Sequence, residues 1–259
     1  MRHRLRRIAE FTLLALLACA PAHADRKYFL QSYTPWLASK GSLELEMHAI
    51  AANGLGDSTN TSWLNRAEFE YAIHDRLTGA LYLNFVQDGG ESAAQRFDGP
   101  SLEFIYRMTE PGRYPVDPAL YLEVRENGDE LEVEPKLLLA HRHHQLVGVV
   151  NLIGEFEKHF TGDEEGEVEK NFRVSGGFSR EIGSSLAVGV EGFYHRVLGD
   201  VDPHPAAVFA GPTFNLQTEK IQFAVGWHPQ LWGSPKSSGR LDLNDFARSE
   251  VRLLLGVDL

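Results

Sequence analysis

Apolar and polar residues alternate along most of the chain with a period of two. In the stretch Leu43-Glu44-Leu45-Glu46-Met47-His48-Ala49, the odd positions are apolar or small and the even ones are charged or polar. The same alternation recurs in 65–74, 102–108 and 120–125, and again in 250–259 at the C-terminus. Because successive side chains of a β-strand point to opposite faces, this period predicts strands that separate an apolar medium from a polar one.

Alternation and turn residues together predict about twelve strands. Their approximate ranges are 43–51, 63–74, 79–87, 101–108, 119–126, 130–140, 146–157, 169–180, 185–196, 206–216, 219–228 and 248–259. Single-chain bacterial barrels have an even number of antiparallel strands. The sequence therefore predicts an all-β fold, a transmembrane antiparallel up-and-down β-barrel of about 12 strands that occupies residues 42–259.

Linker lengths help to decide whether the apolar face of the strands contacts a protein core or lipid. A soluble lipocalin-like barrel would turn its apolar face inward, whereas a membrane barrel turns it toward lipid. Long linkers such as 52–62 and 229–247 alternate with short ones such as 75–78 and 217–220, although 109–118 and 126–130 depart from the rule. Short periplasmic turns and long outer loops are typical of outer-membrane barrels, so 52–62 is expected outside the cell.

The first 24 residues are predicted to be a signal peptide. A basic start is followed by the apolar run 11–20 and by Ala22-His23-Ala24, which predicts cleavage after Ala24. Lipidation of Cys19 is an alternative. Ordinary cleavage would remove the one cysteine of the sequence, which excludes disulfides and thiolate metal sites. Residues 25–41 do not alternate and are predicted to be a periplasmic N-terminal segment that could fold inward as a plug.

Net charge argues against nucleic-acid binding, and the length of the apolar runs argues against a transmembrane helix. The net charge is −11, and nucleic-acid binding requires basic surface, so no nucleic acid is expected as a partner. From residue 25 onward, no apolar run is long enough for a transmembrane helix.

The chain resembles the small, mostly uncharacterised outer-membrane β-barrel proteins of Gram-negative bacteria. The resemblance rests on the signal peptide, on the entry segment 33–41 (YTPWLASKG) and on the hairpin 69–82, which follows the pattern E-Y-x-I-x-D-R-L-x-x-x-L-Y. It covers the whole exported chain and implies an architecture and an outer-membrane location, with outer-membrane lipid, lipopolysaccharide and the barrel-assembly machinery as partners. The terminal Leu259 departs from the Phe or Trp that ends many of these proteins.

One set of charged residues falls on the polar face, which would line the lumen. The predicted lumen set is Glu44, Glu46, Arg66, Glu68, Glu70, Glu103, Arg107, Glu123, Arg125, Glu155, Arg173, Glu191 and Arg252. These residues could select cations or bind a polar solute, or they could form an ion-pair network that fills a narrow barrel. Acidic residues outnumber basic ones, so any pore should prefer cations.

No cofactor and no catalytic residue is predicted. His141, His143 and His144 are weak candidate ligands for Zn²⁺, Cu²⁺ or Ni²⁺, but they fall on a short turn where solvated histidines carry no cost. The favoured function is a narrow channel, or a solute-binding or structural barrel, of unknown substrate. An outer-membrane lipid-modifying hydrolase and a soluble periplasmic barrel that binds an apolar ligand are the alternatives, although the common hydrolase motifs are missing.

The predicted topology is testable with inserted epitope tags. A tag between Ser237 and Ser238, in the longest linker, should bind antibody on intact cells, because that linker is predicted outside. A tag between Thr218 and Glu219, in a short turn, should bind only after permeabilisation. Labelling of the Thr218 tag alone on intact cells would show that the topology is inverted.

Overall fold

The computed structural model describes residues 26–57, 60–90, 93–161, 166–199 and 204–259. The predicted signal peptide and the Cys19 alternative lie outside the described residues. No helix within these ranges has the length and hydropathy needed to cross a membrane.

Twelve antiparallel strands form a closed barrel in which β1 pairs with both β2 and β12. The strands are β1 (Leu43–Asn53), β2 (Thr61–His74), β3 (Leu77–Gln87), β4 (Arg96–Arg107), β5 (Asp117–Glu126), β6 (Glu130–His143), β7 (Leu146–His159), β8 (Val168–Ile182), β9 (Leu186–Leu198), β10 (Ala206–Gln217), β11 (Ile221–Ser234) and β12 (Ser249–Asp258). A short 3₁₀ helix (Leu55–Asp57) follows β1. The predicted fold class and strand number are confirmed.

Two strand boundaries differ from the predictions by several residues. β4 begins at Arg96 rather than near 101, because Gly99 interrupts the pattern with φ +85° and still allows pairing on both sides. A Cβ at Gly99 would lie 2.3 Å from the Glu126 carbonyl oxygen, so this close approach of two strands requires glycine. β11 continues past Pro229 to Ser234 and pairs there with β10.

The two faces of the sheet differ sharply in polarity. Leu122 is 42% exposed on the outside, whereas its neighbour Glu123 is 6% exposed on the inside. Large apolar side chains are exposed on the outer face of every strand except β6, and buried carboxylates and amides face inward. A soluble barrel with an apolar core would have the reverse arrangement, so the structure contradicts that alternative.

The two ends of the barrel differ in the segments that join the strands. The loop end carries linkers 54–60, 88–95, 127–129, 160–167, 199–205 and 235–248. The turn end carries 75–76, 108–116, 144–145, 183–185 and 218–220. The linker 108–116 is long for the turn end, as the sequence pattern indicated.

The N-terminal segment (residues 26–41) lies inside the barrel as a loop inserted from the turn end. Near its beginning, Arg26 Nη2 donates a hydrogen bond to the Ser184 carbonyl in a turn-end linker. Near its end, the Lys40 amide donates to Asp75 Oδ1 in another turn-end linker. Between these points, Leu30, Gln31 and Tyr33 reach the middle of the lumen.

A charge on the outer face should prevent assembly. Replacing Leu122 or Leu253 with Arg should reduce the folded fraction, because Arg near the bilayer midplane costs roughly 2–4 kcal/mol. The measurement is the heat-modifiable mobility of the barrel in SDS gels, together with its yield in the membrane fraction.

Leu122→Met is the matched control, since it keeps an apolar side chain of similar size. Glu123→Gln and Arg252→Gln, on the opposite face, should also give folded barrels. If the two Gln variants assembled less well than Leu122→Arg, the assignment of the two faces would be wrong.

Candidate functional site

The lumen is the candidate site, because strand alternation directs the charged side chains into it. The carboxylates of the predicted lumen set are all buried: Glu44, Glu46, Glu68, Glu70, Glu103, Glu123, Glu155 and Glu191. Its arginines are partly buried, namely Arg66, Arg107, Arg125, Arg173 and Arg252. Arg107 lies at the turn-end mouth, where it pairs with Glu110 at 3.2 Å.

In the half of the lumen nearer the loop end, basic and acidic side chains are matched. Arg125 lies 2.7 Å from Glu132 and 2.8 Å from Asp98, and Arg252 lies 2.7 Å from Glu250. Such pairs satisfy charges that water reaches poorly, so each of these arginines is engaged by at least one carboxylate.

Two further pairs also join different strands. Arg66 of β2 forms an ion pair with Glu123 of β5, and its Nε donates to Asn84 Oδ1 at 2.9 Å. Arg173 of β8 pairs with Glu155 of β7. The Arg66 contact reaches past β3 and β4, so it braces one part of the wall against another.

In the half nearer the turn end, carboxylates are in excess. Glu44, Glu46, Glu68, Glu70 and Glu103 are each at most 6% exposed. Within the described residues, the ammonium of Lys27 enters this group from the N-terminal segment, 3.3 Å from Glu70 Oε2 and 3.6 Å from Glu46 Oε1. This half of the lumen therefore has a strongly negative lining.

The N-terminal segment is held in the lumen through its backbone. The carboxylate of Glu191 accepts hydrogen bonds from the amides of Leu30 at 3.1 Å, Gln31 at 3.0 Å and Ser32 at 2.7 Å. The side chain of Asn151 makes two bonds to Tyr33, accepting from its amide at 2.7 Å and donating to its carbonyl at 3.0 Å. These contacts supply partners for backbone groups that would otherwise be buried without any.

Uncharged lumen residues also contact the N-terminal segment. Asn215 Nδ2 donates to the Lys27 carbonyl at 2.7 Å, and Gln222 Oε1 accepts from the Lys27 amide at 3.1 Å. A Cβ at Gly177 would lie 2.5 Å from Phe29 Cε1, so glycine provides the space for that ring. Asn215, Gln222 and Gly177 are not among the predicted site residues, because that prediction rests on charged positions.

A cavity of about 390 Å³ remains between the N-terminal segment and the loop end. Its floor includes Leu30, Gln31 and Tyr33, and its walls include the paired Arg66 and Glu123. The cavity is large enough for several waters or a small solute, but the segment occupies the lumen below it.

The predicted metal ligands lie at the end of β6 and in the turn that follows it. His141, His143 and His144 are exposed at the turn end, and the rings of His143 and His144 are 4.4 Å apart. In the described residues, the groups of ligating atoms that come within 4.8 Å of one another do not include them. Two such groups instead contain a histidine, His48 in one and His159 in the other, and neither is among the predicted ligands.

Comparisons with known proteins agree with this architecture. A family model described as a family of unknown function, DUF6662, matches residues 21–259. No curated protein matches the sequence.

Several solved porins and channels have a similar fold. The NanC porin aligns over 84% of this chain and 100% of its own, with a TM-score of 0.56 and 11% identity. The KdgM porin, solved in complex with disordered oligogalacturonate, aligns over 83% of this chain and 99% of its own, with a TM-score of 0.56 and 7% identity. The COG4313 outer membrane channel from Pseudomonas putida F1 aligns over 85% and 96%, with a TM-score of 0.57 and 14% identity.

Glu191→Gln should loosen the N-terminal segment. One carboxylate oxygen would become an amide nitrogen that faces a backbone donor, and losing a hydrogen bond to a charged group costs about 1.5–3 kcal/mol. Amide hydrogen exchange at residues 30–32 should become roughly tenfold faster or more. Glu155→Gln is the matched control, because Glu155 pairs with Arg173 and should leave that exchange unchanged. Equal exchange in all three proteins would show that Glu191 does not hold the segment.

Proposed function

We propose that this chain, which belongs to the DUF6662 family of unknown function, is an outer-membrane β-barrel that forms a narrow, cation-preferring channel. In its resting state the N-terminal segment closes the lumen from the turn end. The observation that carries the proposal is the fit of residues 26–41 inside a barrel of transmembrane type, with their backbone bound by lumen side chains. The predicted export signal and the porin-like fold support the location.

The outer surface supports a membrane location. Exposed aromatic side chains lie near the strand ends, where a bilayer has its interfaces. They include Trp63, Tyr71, Tyr106, Phe156 and Phe172, whereas Trp227 lies in the middle of β11. Between them the surface is apolar, as lipid contact requires. On this proposal the barrel contacts outer-membrane lipid and lipopolysaccharide and is assembled by the barrel-assembly machinery.

The charges of the lumen favour cations. The turn-end half has an excess of carboxylates, whereas the arginines of the loop-end half are engaged by Glu123, Glu132 and Glu155. An anionic solute would have to displace those carboxylates, and a small cation would not. The anionic ligand of the KdgM porin is therefore a poor guide to the solute of this chain.

Deleting residues 25–39 should increase conductance. The intact protein in planar bilayers should show small or no conductance, because the N-terminal segment fills the lumen. The deletion variant should conduct more and prefer cations, as measured by the reversal potential in a salt gradient.

A matched control is the intact chain with Glu155→Gln, which changes the lining but leaves the segment in place. It should conduct as little as the unaltered protein. A large, anion-selective conductance of the intact protein would contradict both parts of the proposal. A deletion variant that folds but conducts no better would contradict the plug alone.

A further inference from the structure

Three ligating side chains converge on the lumen wall beside the N-terminal segment. Nε2 of His48 lies 3.1 Å from Glu46 Oε2 and 3.0 Å from Glu68 Oε2. Glu46 and Glu68 are direct partners in the register of β1 and β2, and His48 is two residues further along β1 on the same face. The pairing of two strands therefore builds this group, with no contribution from a loop.

The register places like charges opposite each other. Glu46 faces Glu68, and Glu44 faces Glu70 in the next pair with the same orientation. Like charges directly across a pair of strands are destabilising, and burial makes their repulsion stronger. A cation between the two carboxylates would remove this repulsion.

The side chains around Glu46 and Glu68 do not fully neutralise the two carboxylates. The Lys27 ammonium lies near Glu46 Oε1, not near the Oε2 atom that faces His48. His48 forms its hydrogen bond with Glu68 Oε2. Glu46 Oε2 lies 3.1 Å from the same imidazole nitrogen, so one nitrogen serves two carboxylates. Within the described residues, Glu68 Oε1 accepts no hydrogen bond, although this side chain is 1% exposed. A buried acceptor without a donor indicates a further ligand.

We propose that Glu46, His48 and Glu68 bind a divalent transition-metal ion on the lumen wall. Ligand atoms about 2.1 Å from a tetrahedral metal are about 3.4 Å apart. The two separations between His48 Nε2 and the carboxylate oxygens, 3.1 and 3.0 Å, therefore need to widen by only a few tenths of an ångström. Water completes the coordination from the lumen. The site requires only the folded barrel, so it is independent of whether the barrel conducts.

The ligand types select the ion. Two carboxylates and one imidazole suit Zn²⁺ and similar divalent transition-metal ions, whereas Ca²⁺ and Mg²⁺ prefer oxygen ligands alone. Access is from the loop-end half, because His48 also lines the cavity of about 390 Å³. A hydrated ion therefore reaches the imidazole without displacing the N-terminal segment.

The test is Zn²⁺ titration of the full exported chain, in a background that lacks the three clustered histidines of the turn end. The background carries His141→Gln, His143→Gln and His144→Gln, so that the turn cannot bind zinc. Isothermal titration should show one equivalent of Zn²⁺ bound. Adding His48→Gln or Glu68→Gln should weaken binding at least about 100-fold, since even outer-shell changes at metal sites cost 10–100-fold.

His195→Gln is the matched control, because His195 is another partly buried lumen histidine that contacts Asn171 and Phe246. It should bind Zn²⁺ as the background does. No zinc binding by the folded background protein at micromolar concentrations would overturn the proposal. Binding that His48→Gln and Glu68→Gln leave unchanged would overturn it as well.

A second measurement does not depend on how the His48→Gln and Glu68→Gln variants fold. X-ray absorption at the zinc edge of the background protein should show oxygen ligands with one imidazole in the first shell. Two or more imidazoles would place the ion elsewhere and refute the assignment to His48.

Discussion

Closure of the sheet by pairing of β1 with β12 is the constraint on which the rest of the structure depends. It removes every sheet edge, and it also directs alternate side chains of twelve strands into one confined lumen. Charges in that space have little access to water, so each must find a partner within reach. The pairing of Arg66 with Glu123 and of Arg125 with Glu132 meets this requirement near the loop end.

Near the turn end the N-terminal segment meets part of the same requirement. The N-terminal segment brings the Lys27 ammonium to Glu46 and Glu70, and three backbone amides to Glu191. Backbone N–H groups carry partial positive charge, so they stabilise a buried carboxylate without adding a basic side chain. The segment therefore contributes to the electrostatic balance of the barrel as well as to its packing.

The sequence predicted the strands and their inward face because two media of opposite polarity impose a strict alternation. It did not predict the continuation of β11 past Pro229, since proline usually ends a central strand. Asn151 and Asn215 carry no distinctive pattern, and only the inserted segment makes them partners of its backbone. His48 became a candidate ligand once the register placed Glu68 opposite Glu46, which a sequence alone does not specify.

The N-terminal segment begins and ends at the same mouth of the barrel, near Ser184 and Asp75. The segment is thus a loop inside the lumen. It can be withdrawn through the mouth by which it enters, and no free chain end has to pass through the wall or through the opposite mouth. Its contacts in the lumen are hydrogen bonds, ion pairs and ring packing, which break and reform without covalent change. Insertion and release are therefore topologically reversible, and the compartment facing the turn end has direct access to the part of the chain that would move.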